Sequence, residues 1–79
     1  MKIPEIKRLA ETYTLEQLQE AELAIADERE PEIEVHGEDE GEKLTHLFGA
    51  QFIREKVDGG MEFTAALREF TQKVRNSIQ

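Results

Sequence analysis

Apolar residues along most of this chain recur at every third or fourth position, which is the spacing of one face of an α-helix. The first series begins around Pro4, whose fixed φ angle suits a first helical turn, and it predicts a short helix over about 4–12. The last series is the cleanest amphipathic pattern, and it predicts a helix whose apolar face runs from Phe63 to Ile78.

Capping and helix-breaking residues predict where the second helix begins and ends. Thr14 and Gln17 have the spacing of a capping box, so we expect this helix to start at Leu15. The residue before a proline is disfavoured in the helical region, so we expect the helix to end near Glu30, ahead of Pro31.

Residues 31–37 alternate apolar and polar side chains at period two, which is the pattern of a strand. A lone strand in a helical protein has no neighbour to complete its backbone hydrogen bonds. We therefore expect either an extended connection that lays Ile33 and Val35 on the helices, or an edge that pairs with the same segment of a second copy.

The third helix is expected to begin in the acidic segment 37–42, to run to Val57 and to be apolar on two sides. One side carries Leu44, Leu47, Phe48 and Phe52, and the other carries His46, Ala50, Ile53 and Val57. A helix that is apolar on two sides is buried on both. It is either the central helix of the bundle, or it packs on its own domain with one side and on a partner with the other. Gly49 in its interior would allow a close approach of a neighbouring helix.

The sequence Asp58-Gly59-Gly60 ends the third helix with a left-handed glycine and a tight reversal. The third and fourth helices should therefore form an antiparallel hairpin. No internal repeat and no linker divides the chain. The expected fold is all-α, with one helical domain over 1–79, four helices of which the first is short, and an extended 31–37 connection.

Charge is distributed unevenly along the 79 residues. Asp and Glu number 18 against 10 Lys and Arg, a net charge of -8, and residues 15–42 alone hold twelve acids and one base. Such a chain is poorly suited to phosphates, so we expect no nucleic-acid partner and no membrane partner, and rather a basic protein or a second copy. There is no cysteine, no signal sequence and no apolar run long enough for a bilayer, which predicts a cytoplasmic protein.

One group of side chains could bind a divalent metal. Asp39, Glu42 and His46 are spaced i, i+3, i+7, so they would offer two carboxylates and an imidazole from one helix face to Zn, Mn or Fe. The alternative is that His46 is a half-buried packing residue whose ring binds a backbone carbonyl or Glu42. Apart from this metal, no cofactor is predicted.

Three stretches of the chain carry a resemblance to known sequences: MKIPEIK at 1–7, PEIEVHGEDEGEKLTH at 31–46, and ALREF at 66–70 with VRNS at 74–77. Over its whole length, the chain resembles a family of short, acidic hypothetical proteins from bacteria that has no assigned biochemical role. The resemblance implies a free-standing small protein, and it supplies no catalytic residue.

Three functions agree with these features. The first is a non-enzymatic protein-interaction module that acts as a homodimer, because a core of this size supplies only about 3–5 kcal/mol by itself. Its interface would be drawn from Leu44, Leu47, Phe48, Phe52, Ile33 and Val35. The second is a metal-binding protein or metal-dependent enzyme that uses the carboxylates and histidine named above. The third is an acidic decoy that mimics nucleic acid for a basic partner. With Ser77 as the only serine and no nucleophile motif, a binding protein is expected ahead of an enzyme.

Overall fold

The computed structural model describes residues 1–77, and within them the regular structure is entirely α-helical. The helices are α1 (Ile3–Thr12), α2 (Leu15–Ala26), α3 (Glu40–Asp58) and α4 (Phe63–Ser77). The predicted all-α fold with a short first helix is confirmed. Ile78, the last of the apolar residues expected on one face of α4, lies outside the described residues.

The capping box between α1 and α2 is present as predicted. The Thr14 hydroxyl oxygen accepts the backbone N–H of Gln17 at 3.2 Å, and the Gln17 side-chain oxygen accepts the N–H of Thr14 at 2.9 Å. Two backbone donors that the helix cannot satisfy are thereby paired, and α2 begins at Leu15.

The predicted end of α2 near Glu30 is wrong, because the helix ends at Ala26. Glu28 adopts a left-handed conformation with φ 60°, and the N–H of Arg29 bonds back to the carbonyl of Ala24 at 2.7 Å. The left-handed residue and the hydrogen bond that follows it are those of a Schellman motif, which turns the chain back before Pro31 is reached.

Residues 27–39, which we call the strap, join α2 to α3 without forming a strand. Val35 in the strap is 8% exposed, and Ile33 packs against the core. The strap therefore buries its apolar side chains on the chain's own helices, and the expected extended connection is confirmed.

α3 is the central helix, and α1, α2 and α4 each pack against it. Leu47, Ala50 and Ile53 on α3 are fully buried. Residues from both apolar sides of this helix thus have neighbours within the same chain, whereas Phe48 stays exposed. The close approach expected at Gly49 is present, with Ile6 of α1 and Phe70 of α4 in contact with it.

The turn between α3 and α4 contains the predicted left-handed glycine. Gly60 has φ 110°, and the N–H of Met61 bonds to the carbonyl of Lys56 at 3.0 Å. The ring centroids of Phe52 and Phe70 lie 5.8 Å apart across the two helices. The antiparallel hairpin is confirmed.

Candidate functional site

One side of α3 is left open by the other three helices. Phe48 lies on this side with 53% of its surface exposed, between the half-buried side chains of Leu44 and Phe52. These three residues recur at i, i+4, i+8 and form one line along the helix, which we call the apolar stripe. Of these three side chains only Phe48 is largely exposed, and over the described residues the other exposed large apolar side chains are Met1 and Leu23.

Positive charge borders the stripe at Phe52. The ammonium groups of Lys56 and Lys73 each lie 5.4 Å from the centroid of the Phe52 ring, the geometry of a cation–π interaction. Lys56 also lies 3.5 Å from the carboxylate of Glu69 on α4. The stripe therefore has an apolar centre and a polar edge, as protein interfaces do.

The structure separates the residues that the sequence suggested for an interface. Leu47 is fully buried and Val35 nearly so, and both belong to the core. Phe48 remains accessible, while Leu44 and Phe52 are half-buried in the stripe. Periodicity did not distinguish Leu47 from its neighbour, because the positions of the helices packed on α3 decide which of its side chains are covered.

A cluster of polar side chains lies where the strap crosses α1. The Glu5 carboxylate, 8% exposed, accepts two hydrogen bonds from the Arg8 guanidinium at 2.8 and 2.7 Å. It also accepts the backbone N–H of His36 at 2.9 Å, while Arg8 donates to the carbonyl of Glu34 at 2.7 Å. Glu5 and Arg8 therefore attach the strap to α1.

The charge of Glu5 is stabilised by these partners. Burial by itself raises the pKa of Glu5, but the hydrogen bonds from Arg8 and from the N–H of His36 outweigh it, so the pKa lies below its ordinary value. Sequence reasoning missed this cluster. The i, i+3 spacing of Glu5 and Arg8 was the available signal, whereas their contact with the strap had none.

His46 is 1% exposed and joins α3 to both the strap and the start of α1. Its Nε2 accepts the backbone N–H of Lys2 at 2.9 Å, and its Nδ1 lies 2.8 Å from the carbonyl oxygen of His36. A backbone N–H needs an acceptor and a carbonyl needs a donor, so the ring is the neutral tautomer with its proton on Nδ1. Both ring nitrogens are thus engaged by backbone.

The other two predicted metal ligands are engaged in the first turn of α3. Asp39 caps the helix by accepting the N–H of Glu42 at 2.8 Å. The Glu42 carboxylate accepts the N–H of Glu38 at 2.8 Å and lies 3.4 Å from the amino terminus. The hydrogen bond from Glu38, followed by the contact with the amino terminus, lowers the pKa of Glu42 despite an opposing desolvation effect.

Over residues 1–77, no three His, Asp or Glu side chains are grouped so that they could hold a metal ion. A metal bound at His46 would have to displace one of the two backbone partners of its ring. Metal binding by Asp39, Glu42 and His46 stays a prediction. Metal analysis of the protein, with thermal melts in EDTA and in Zn²⁺ or Mn²⁺, is its test.

Comparison with known proteins places the chain in a family. A family model matches residues 1–79, and its description is a family of unknown function, DUF6952. The chain belongs to this family. No curated protein and no solved structure matches it. The expected membership in a family without an assigned role is confirmed.

Among the helices described for this DUF6952 protein, up to residue 77, none is both long and apolar enough to cross a membrane. The buried polar side chains of the same region are Glu5 and His46. Their partners are backbone groups, Arg8 and, for Glu5, also the His36 ring at 3.4 Å, so both hold the strap in place. In this DUF6952 protein, Phe48 of the apolar stripe is a large apolar side chain that the chain's own helices leave 53% exposed.

Proposed function

We propose that this protein is a non-enzymatic interaction module that acts as a homodimer through the apolar stripe of α3. The observation that carries the proposal is the 53% exposure of Phe48. Full burial of such a side chain is worth roughly 1.5–3 kcal/mol, which is a large amount for a core of this size. In a homodimer related by a two-fold axis, the same stripe from each copy would meet its counterpart.

The shape of the chain supports the same arrangement. Its extents are 32 × 30 × 17 Å, so one dimension is about half of the other two. A second copy that covered the stripe would bury Phe48 and extend the apolar contacts of Leu44 and Phe52. The homodimer would thereby supply part of the core that a chain of 79 residues lacks.

Charge also favours the stripe over other surfaces for contact between copies. Residues 15–42 hold twelve acids and one base, and two such segments repel each other. Residues 43–79 hold six bases and four acids. A contact centred on Phe48 joins two copies through this less charged part of the chain, with Lys56 and Lys73 at its edge.

The buried titratable groups support a role without catalysis. Glu5 binds Arg8 and the strap, and both nitrogens of His46 bind backbone groups. A general acid or base must reach a substrate proton within hydrogen-bond distance. These two side chains instead use their hydrogen-bonding capacity to hold the fold.

Sedimentation equilibrium at tens of micromolar protein tests the homodimer, with Phe48→Ser as the variant. We expect a dimer for the parent chain and a monomer for Phe48→Ser, whose fold is retained because the replaced side chain is exposed. Leu23→Ser is the matched control, since Leu23 on α2 is 61% exposed and lies outside the stripe. A monomeric parent chain, or a Phe48→Ser variant that stays dimeric, would contradict the proposal.

A further inference from the structure

Leu23 is the most exposed large apolar side chain among those described, at 61%. It borders a groove of about 570 Å³ between α2 and the strap. Ala21 and Ala24 of α2 and Ile33 of the strap supply further apolar lining. The lining of the groove is mixed, with more polar than apolar surface, and Leu23 is its exposed apolar side chain.

The rim of this groove is strongly acidic. Its charged lining residues are Glu16, Glu20, Arg29, Glu30 and Glu32. The one base among them, Arg29, is paired with the exposed carboxylate of Asp27 at 3.4 Å. The groove therefore combines an exposed leucine with an excess of negative charge, and neither feature is required by the packing of α2 on α3.

We propose that the groove between α2 and the strap binds a basic amphipathic segment of a partner protein. An apolar side chain of the segment would cover Leu23, and its Lys or Arg side chains would face the glutamates of the rim. A second copy presenting its own acidic 15–42 segment would be repelled. The proposal rests on the interaction role proposed above but not on the dimer, because the groove shares no residue with the apolar stripe.

Fluorescence anisotropy with a labelled synthetic peptide of Leu and Lys, arranged as an amphipathic helix, is the binding test. We expect this peptide to bind and added salt to weaken the binding. A peptide with Glu in place of Lys should not bind. A peptide of the same composition in scrambled order should bind at least about fivefold more weakly, because it cannot present one apolar face.

Two groove variants locate the site, each with a matched control. Leu23→Gln should weaken binding about tenfold, while Ala65→Gln, at an exposed position of α4 outside both the groove and the apolar stripe, should change it by less than about twofold. Glu20→Lys should weaken peptide binding about fivefold or more. Glu11→Lys on α1 changes the net charge equally, and its fold-loss of peptide affinity should be less than half as large. All four positions are exposed, so each variant is expected to keep the helical circular-dichroism spectrum of the parent.

The proposal is overturned if the Leu and Lys peptide does not bind at low salt. It is also overturned if Glu20→Lys and Glu11→Lys weaken binding equally, because the peptide would then respond to net charge alone. A monomeric parent chain that binds the peptide refutes only the homodimer. A dimeric chain that does not bind it refutes only the groove.

Discussion

Gly49 of α3 lies directly against Ile6 of α1, so that a Cβ atom at Gly49 would be 3.0 Å from the Cδ1 atom of Ile6. The same Cβ would be 2.8 Å from the Cζ atom of Phe70 on α4. Three helices therefore meet where one residue has no side chain. Glycine in a helix interior costs about 1 kcal/mol relative to alanine, and here the closer packing of the neighbouring helices offsets that cost.

Replacing this glycine should therefore destabilise the fold. We expect Gly49→Ala to lose about 1–3 kcal/mol of unfolding free energy, because overpacking outweighs the gain in helix propensity. Gly41→Ala is the control, since Gly41 is exposed on α3 and its nearest contact would be Asp39 at 3.4 Å. The free energy of unfolding of the control, measured in urea, should rise by up to about 1 kcal/mol. Equal effects of the two substitutions would show that the contact with Ile6 is not tight.

The turns after α2 and α3 place different residues at the same left-handed position. Glu28 has φ 60° and Gly60 has φ 110°. A side chain is unfavourable in this conformation. We therefore expect Glu28→Gly to raise the free energy of unfolding by about 1 kcal/mol and Gly60→Ala to lower it by about as much, both measured in urea. Glu28→Gln removes the charge but keeps a side chain, and it should gain clearly less than Glu28→Gly. If the glutamine variant gained as much, charge and not backbone strain would be the cause.

The lowered pKa of Glu5 predicts how stability depends on pH. At pH values above about 4.5, the pKa of Glu5 in the unfolded chain, the ionised carboxylate stabilises the fold. This stabilisation is lost as the pH falls through the lower folded-state pKa. We expect Glu5→Gln to be less stable than the parent by about 1–3 kcal/mol at neutral pH. The difference should begin to shrink as the pH falls below about 4.5, where Glu5 of the unfolded chain takes up a proton, and it should be lost once the pH falls through the lower folded-state pKa.

Unfolding in urea at a series of pH values measures this difference. Glu11→Gln is the control, since Glu11 is exposed on the same helix. Its difference from the parent should stay within about 0.5 kcal/mol at every pH. A penalty for Glu5→Gln that did not change with pH would mean that the hydrogen bonds and not the ionisation of Glu5 attach the strap.

Salt should raise the melting temperature of the protein. Residues 15–42 hold twelve acids and one base, and the pair between Asp27 and Arg29 in this segment is exposed on both sides. Added NaCl reduces the Debye length to about 10 Å at 0.1 M and screens the repulsion within the segment. Thermal melts at constant protein concentration measure the change. A melting temperature that fell with NaCl would instead mean that attractive ion pairs with basic residues dominate.

Features set by a few neighbouring residues could be predicted from the sequence. The capping box of Thr14 and Gln17 and the glycine turn at 59–60 depend on backbone groups within one helical turn. The end of α2 could not be predicted in the same way. Pro31 marked a limit for the helix, but the left-handed residue that ends it is Glu28, where no glycine signals a turn.

The sequence by itself determined that this chain is a small all-α protein with an acidic middle segment and a two-sided central helix. Only the tertiary structure decided which side chains are covered, because burial depends on where distant helices lie. It buried Leu47 and left Phe48 in solvent one position later. It also brought the N–H of Lys2 to His46 across 44 positions, a contact that no local spacing specifies.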